Sequence, residues 1–208
     1  MTDTDVHQAI QAERSELADI LAGLDESDWD KPSLCQGWRV REVVAHITMP
    51  FRMSLPKFAL EMVKARGDFN RMADRVARKE TAQISAAEFV RCLRENIAHP
   101  WKPPGGKLVD SLSHDIIHGL DCTVALGLDR VVPADRLEYV IRDQSPKSIE
   151  FFGVDLSGVQ LRAEDMDWSY GSGTPLTGRA QDLLLVQCGR KLPPGHLRGA
   201  DAARFTRD

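Results

Sequence analysis

The chain has no apolar stretch near the ~20 consecutive positions a helix needs to cross a bilayer, which excludes a helical membrane span. It also has no surplus of positive charge. Lys and Arg number 27 against 31 Asp and Glu, a net charge of −4. That sign disfavours a polyanion-binding role, so no nucleic-acid partner is expected. The densest basic run, "RMADRVARK" (71–79), reads as a solvated helix face. Cysteine is sparse: Cys35, Cys92, Cys122 and Cys188 lie far apart and form no CxxC pair. A cytosolic chain of this size does not need disulfides, which leaves small apolar core residues as the plain reading. The opening residues, "MTDTDVHQAIQAERSELADI", lack the basic and apolar regions of a secretory signal, so a cytoplasmic location is expected.

What remains is an ordinary globular composition, 42% hydrophobic and 28% charged over 208 residues. Such a chain can bury a sizeable core. Its first part is written in helical periods. Val6, Ile10, Leu17, Ile20, Leu21 and Leu24 recur at helical spacing over 3–24. A loop with Pro32, Ser33 and Gly37 follows, and a second helix starts near Trp38 with Val40, Val43, Val44 and Ile47. Pro50 predicts a kink or break there. Helical character resumes through "LPKFALEMVKA", while 68–84 is polar and ambiguous. Ser85 with Glu88 three residues later is a capping box and starts a third long helix. "HPWKPPGGK" (99–107) is a rigid loop. A fourth helix spans about Leu108 to Leu126 and closes at Gly127. Pro133 opens a further helical segment that Pro146 interrupts.

After Gly153 the texture changes. Val159, Leu161 and Ala163 alternate with polar residues, as in a strand or hairpin. "GRAQDLLLVQCGRK" reads as a short helix ending at Gly189. The expectation is a helical domain at 1–152 and a small α/β domain at 153–208.

The residues with the most chemistry are in "SLSHDIIHGLD" (111–121). At about 100° per residue, His118 lies about 40° from His114 on the helix wheel and Asp121 about 20° away on the other side. Asp110, His114, His118 and Asp121 therefore form a stripe beside an apolar face. Imidazoles at i and i+4 can reach one ion. Histidines four apart also occur in helices by chance, and two ligands do not make a tight site. A third must come from His7, His46, His99 or His196. His46, beside Val43 and Ile47 on the second helix, is the best candidate, although a lone histidine there also fits a hydrogen-bonded core residue. Asp121 or Asp115 could hold the other ring nitrogen of a ligating histidine.

These residues carry a resemblance. "DWDKPSLCQGWRVREVVAHI", with Trp29, Pro32, Ser33, Gly37, Trp38, Val40, Ala45 and His46, is similar to the first signature of the mycothiol-dependent maleylpyruvate isomerase family, within the DinB-like superfamily. "HDIIHGLD" resembles the second signature, and Gly178, Asp182, Leu183, Leu184, Gly189 and Arg190 resemble the family's C-terminal domain. The resemblance implies a mainly α fold: a DinB-like four-helix bundle followed by a small α/β domain. It implies one divalent metal, usually zinc, on His46, His114 and His118, and mycothiol or a similar low-molecular-weight thiol whose sulfur meets the metal. It implies Arg190 as an assisting cation. Where the isomerase has a glutamate ligand this chain has His114, and three neutral imidazoles leave the ion's charge uncancelled. That ligand set resembles the DinB-like thiol transferases.

The expectation is therefore a metal-dependent, mycothiol-type thiol transferase or isomerase. Its partners are a thiol and a small-molecule electrophile, Asp121 orients a histidine, and Arg190 neutralises an anionic group. A thiol-independent metal hydrolase and a non-catalytic metal-binding regulator are the alternatives. Zinc, nickel, iron and manganese all suit such a site, and monomer and homodimer both stay open.

Overall fold

A computed structural model describes residues 2–207. The chain divides into two compact units, Met1–Cys122 and Thr123–Asp208. Among the described residues the fold is mainly α, with ten α-helices and one four-stranded sheet. No helix among them is long and apolar enough to cross a membrane.

The first unit opens with α1 (Asp3–Ala22), whose N-cap Thr2 and N3 residue Asp5 form a capping box. Val6, Ile10, Leu17 and Leu21 recur on one face and are all buried. The short α2 (Glu26–Trp29) lies inside the segment expected to be loop and buries Trp29. α3 (Val40–Arg52) follows. The break expected at Pro50 comes after Arg52 instead. Arg52 reaches back to Ala45 O (2.8 Å) and Thr48 Oγ1 (3.0 Å), which ties the last turn to the helix body. α4 (Leu55–Lys64) then begins with a proline in its first turn, where the missing N–H is harmless.

The ambiguous polar stretch is a full helix, α5 (Phe69–Thr81). Asp68 caps it by accepting from Arg71 N at 3.0 Å. Its buried stripe is Met72, Ala73, Val76, Ala77 and Glu80, narrow enough to be hidden among the charges. Met72 and Val76 pack with Met49 of α3 and Ala65 beyond α4. α6 (Ala86–Glu95) starts at the expected Ser85 capping box. α7 (Leu108–Thr123) carries the histidines and ends ahead of Gly127. α1 packs on α6, and α3 packs on both α5 and α6. Burying each large aliphatic or aromatic side chain in these contacts contributes about 1.5–3 kcal/mol.

In the second unit, α8 (Ala134–Asp143) and α9 (Pro146–Phe152) precede the sheet, so this division lies ahead of the 152/153 boundary expected from sequence texture. The strands β1 (Val159–Ala163), β2 (Ser169–Gly171), β3 (Thr174–Gly178) and β4 (Leu197–Arg198) take the order β2-β1-β3-β4. The expected hairpin is present: β1 and β2 are antiparallel, with Leu161 opposite Tyr170. β1 and β3 are parallel, with Leu161 opposite Leu176. β3 and β4 are antiparallel. α10 (Ala180–Gln187) packs on β1, β3 and α8, and every one of its residues is buried.

Candidate metal centre

The loop before α3 is built by its own side chains. Ser33 N donates to Trp38 O (2.9 Å), Ser33 Oγ to the same carbonyl (2.9 Å), and Cys35 N to Ser33 Oγ (3.1 Å). Gly37 sits at φ 79°, in the left-handed region that favours glycine. Trp38 Nε1 donates to Asp74 Oδ1 (2.8 Å), and Arg78 Nη2 donates to Gly37 O (2.8 Å), so α5 clamps the turn from outside. Leu34 N donates to Asp121 O (3.0 Å) and pins the turn to α7. The Pro-Ser and Gly-Trp signatures are thus a turn that delivers Cys35 and Trp38 to one place.

At that place three imidazoles meet. His46 of α3 and His114 and His118 of α7 have ring centroids 5.0 Å (46 to 114), 4.9 Å (46 to 118) and 4.9 Å (114 to 118) apart. One ring nitrogen from each lies within 4.8 Å of those of the other two. His46 is buried, and His114 and His118 are partly exposed. Of the candidate third histidines, His46 is the one that joins the pair. His99 packs tilted against Phe51, ring centroids 5.2 Å apart, and His196 pairs with Asp182 within the second unit, Nδ1 to Oδ1 3.2 Å.

Carboxylates hold the outer nitrogens. His118 Nδ1 is 2.9 Å from Asp121 Oδ2, and His114 Nδ1 is 3.1 Å from Asp115 Oδ1. The two aspartates weighed as alternatives from sequence thus each serve a different ring. A carboxylate accepting from Nδ1–H keeps the proton there and leaves Nε2 as the ligand atom. Asp110, placed by the wheel on the same stripe, has another task. Its Oδ2 accepts from Lys107 N (2.6 Å) at the start of α7.

Aromatic rings wall the triangle. Trp38 lies 5.3 Å and Phe69 6.3 Å from His46, and Trp101 lies 5.2 Å from His114. Phe69 is 45% exposed and marks the solvent side. The donor set suits a divalent metal: three imidazoles from two helices, with oriented tautomers and a low-polarity surround.

Sequence reasoning did not foresee Cys35, read as a core residue. Its Sγ is 2.9 Å from Asp121 Oδ2 and 3.7 Å from His118 Nδ1, so Cys35, His118 and Asp121 form a second cluster of ligand-type atoms sharing His118. Its place inside the Pro-Ser to Gly-Trp signature was the available signal. Arg14, whose Nε is 2.7 Å from Asp115 Oδ2, gave none, because a lone arginine on a polar helix carries no local pattern. Within the second unit, Arg190 Nη1 donates to Cys188 O (2.8 Å), and its guanidinium stands 6.0 Å from the Phe152 ring.

Residues 10–101 match the family model described as the mycothiol maleylpyruvate isomerase N-terminal domain. No curated protein matches the chain. Two solved structures resemble it. One is the crystal structure of the mycothiol-dependent maleylpyruvate isomerase, with 13% identity, TM-score 0.56, and 97% of this chain and 94% of that chain covered. The other is a histidine-to-alanine mutant of the same enzyme, with 14% identity, TM-score 0.55 and the same coverage. At these identities the likeness is one of fold, and it spans both units of the chain.

Proposed function

With residues 10–101 a domain of the mycothiol maleylpyruvate isomerase family, we propose that the protein is a divalent-metal-dependent thiol transferase or isomerase. It uses mycothiol or a similar low-molecular-weight thiol against a small electrophile in the cytoplasm. The observation that carries this reading is the triangle of His46, His114 and His118, with ring centroids 4.9–5.0 Å apart. These three side chains would hold the ion, and zinc fits their nitrogen donors. A divalent ion bound there supplies a Lewis acid that favours the thiolate form of a coordinated thiol.

The chain's own residues prepare that chemistry. Asp115 and Asp121 each stand within hydrogen-bond distance of an Nδ1, and a proton held there would leave Nε2 of that ring as the ligand atom. Three neutral imidazoles cancel none of the ion's charge, whereas a carboxylate ligand cancels one unit. That favours anionic sulfur more strongly. Trp38 and Trp101 set apolar ring surface against His46 and His114, 5.3 and 5.2 Å away. Arg190 is assigned, from the family resemblance, to an anionic group of substrate or thiol.

The test uses the cobalt-substituted protein titrated with mycothiol. The expected result is a new sulfur-to-cobalt absorption band that saturates, with turnover of an electrophile only when thiol is present. A spectrum unmoved by mycothiol, or turnover that needs no thiol, overturns the reading.

A further inference from the structure

We propose that Arg14, acting through Asp115, is a positioning residue for His114. It holds the carboxylate that fixes the metal-facing nitrogen of that ring. The inference rests on the metal-binding reading of the histidine triangle and adds a residue outside it.

Arg14 lies on α1, well away from α7 in sequence, and its side chain is fully buried. Its Nε donates to Asp115 Oδ2 at 2.7 Å. Asp115 is 1% exposed, and its other oxygen, Oδ1, is 3.1 Å from His114 Nδ1. One carboxylate therefore divides its two oxygens between a cation and an imidazole. A carboxylate this buried is stable as an anion only beside a partner. Arginine suits the task because it stays charged and its donors point in fixed directions.

The same guanidinium does a second job. Nη1 faces three carbonyl oxygens just past α6: Asn96 O (3.2 Å), Ile97 O (3.4 Å) and His99 O (2.7 Å). A cation at the carbonyl end of a helix is electrostatically favourable. The segment it grips leads to Trp101, whose ring stands against His114. Phe51 covers the guanidinium face, with Cζ 4.9 Å from the ring centroid. One buried cation thus fixes the acceptor behind His114 and the strand of chain carrying an aromatic wall in front of it.

Stability alone does not require this pair. Replacing a buried ion pair with apolar residues of similar size is often neutral or stabilising, whereas removing one partner is strongly destabilising. An apolar pair, however, cannot accept a proton from Nδ1. That difference separates positioning from packing.

The experiment compares wild type with the double variant Arg14→Met/Asp115→Leu. Zinc affinity is measured by competition with a chromophoric chelator, and thermal unfolding is measured without metal. The double variant is expected to stay folded and to bind zinc about 10–100-fold more weakly. A folded double variant with wild-type affinity overturns the inference. A second measurement needs neither metal nor substitution: nitrogen-15 imidazole spectra of metal-free wild type. His114 is expected to carry its neutral-form proton on Nδ1, and a proton on Nε2 overturns the inference even if the double variant does not fold. A wild type that binds no divalent ion defeats the metal-site reading instead, and the tautomer still decides the role of Asp115.

Discussion

His118 Nδ1 and Asp121 Oδ2 stand 2.9 Å apart, three residues apart on α7, and the same oxygen lies 2.9 Å from Cys35 Sγ. Asp121 is fully buried, so its carboxylate has a fixed orientation and serves His118 directly. Asp121→Asn keeps the shape and removes the charge. It is expected to weaken zinc binding about 10–100-fold, as measured by chelator competition. Cys35→Ser retains a donor toward Asp121 and is expected to bind zinc like wild type. An Asp121→Asn protein with unchanged affinity contradicts the orienting role.

Zinc is also expected to stabilise the fold, because the unfolded chain does not bring residue 46 to residues 114 and 118. Free zinc at 100 times its dissociation constant adds about 2.7 kcal/mol. The melting temperature of the metal-free protein should therefore rise by several degrees on saturation. His46→Ala removes one ligand and is expected to abolish most of that increment. The comparison is of the zinc-dependent rise in each protein, so any packing lost with the imidazole cancels out. Equal rises in both proteins exclude His46 as a ligand.

Much of the site was legible in the chain. The four-residue spacing of His114 and His118 placed both on one face of α7, and Val43 and Ile47 marked the buried side on which His46 sits. The Ser85–Glu88 capping box located the start of α6 because it is written in two residues only three positions apart. What was not legible depends on long-range contact. α5 buries mostly small residues, so its period was masked by Arg71, Arg75, Arg78 and Lys79. Cys35 looked like a core thiol because only the folded turn brings it to Asp121. Arg14 and Asp115 are 101 positions apart, and no local pattern links them.

Glu42 gives an acid-sensitive link between α3 and its surroundings. Its side chain is 1% exposed. It accepts from Arg39 N (2.9 Å), Arg39 Nη2 (2.6 Å) and Thr81 Oγ1 (3.2 Å). Burial pushes its carboxyl up, but the hydrogen bonds and charge of Arg39, helped by Thr81, outweigh that and hold it below the ordinary value of 4.5. The folded form therefore binds fewer protons than the unfolded form in this window. The stabilisation is complete above 4.5 and is lost as pH falls through the folded value. Glu42→Gln is expected to cost about 1–3 kcal/mol at neutral pH. Its urea-unfolding free energy should fall less steeply than that of wild type below pH 4.5. Parallel slopes contradict the assignment.

His99 connects acid to the aromatic wall. Trp101 N donates to His99 Nδ1 at 3.1 Å, a bond that requires Nδ1 to be unprotonated. Desolvation by the groups packed around this otherwise exposed ring, and then the charge of Arg14, hold the imidazole below its ordinary value of 6.5. Because the folded value is depressed, the neutral, bonded form persists as pH falls below 6.5. Its stabilising contribution is complete above 6.5 and is lost as pH falls through the folded value. Proton NMR of the His99 ring should therefore give a midpoint below 6.5. The double variant Arg14→Met/Asp115→Leu, which leaves no buried charge unpaired, should move that midpoint upward without restoring it fully, since desolvation is the larger cause. Tryptophan fluorescence should change over the same range as protonation frees the Trp101 segment, and Trp101→Phe should remove that change. A His99 midpoint at or above 6.5 in the wild-type protein removes the basis for both expectations.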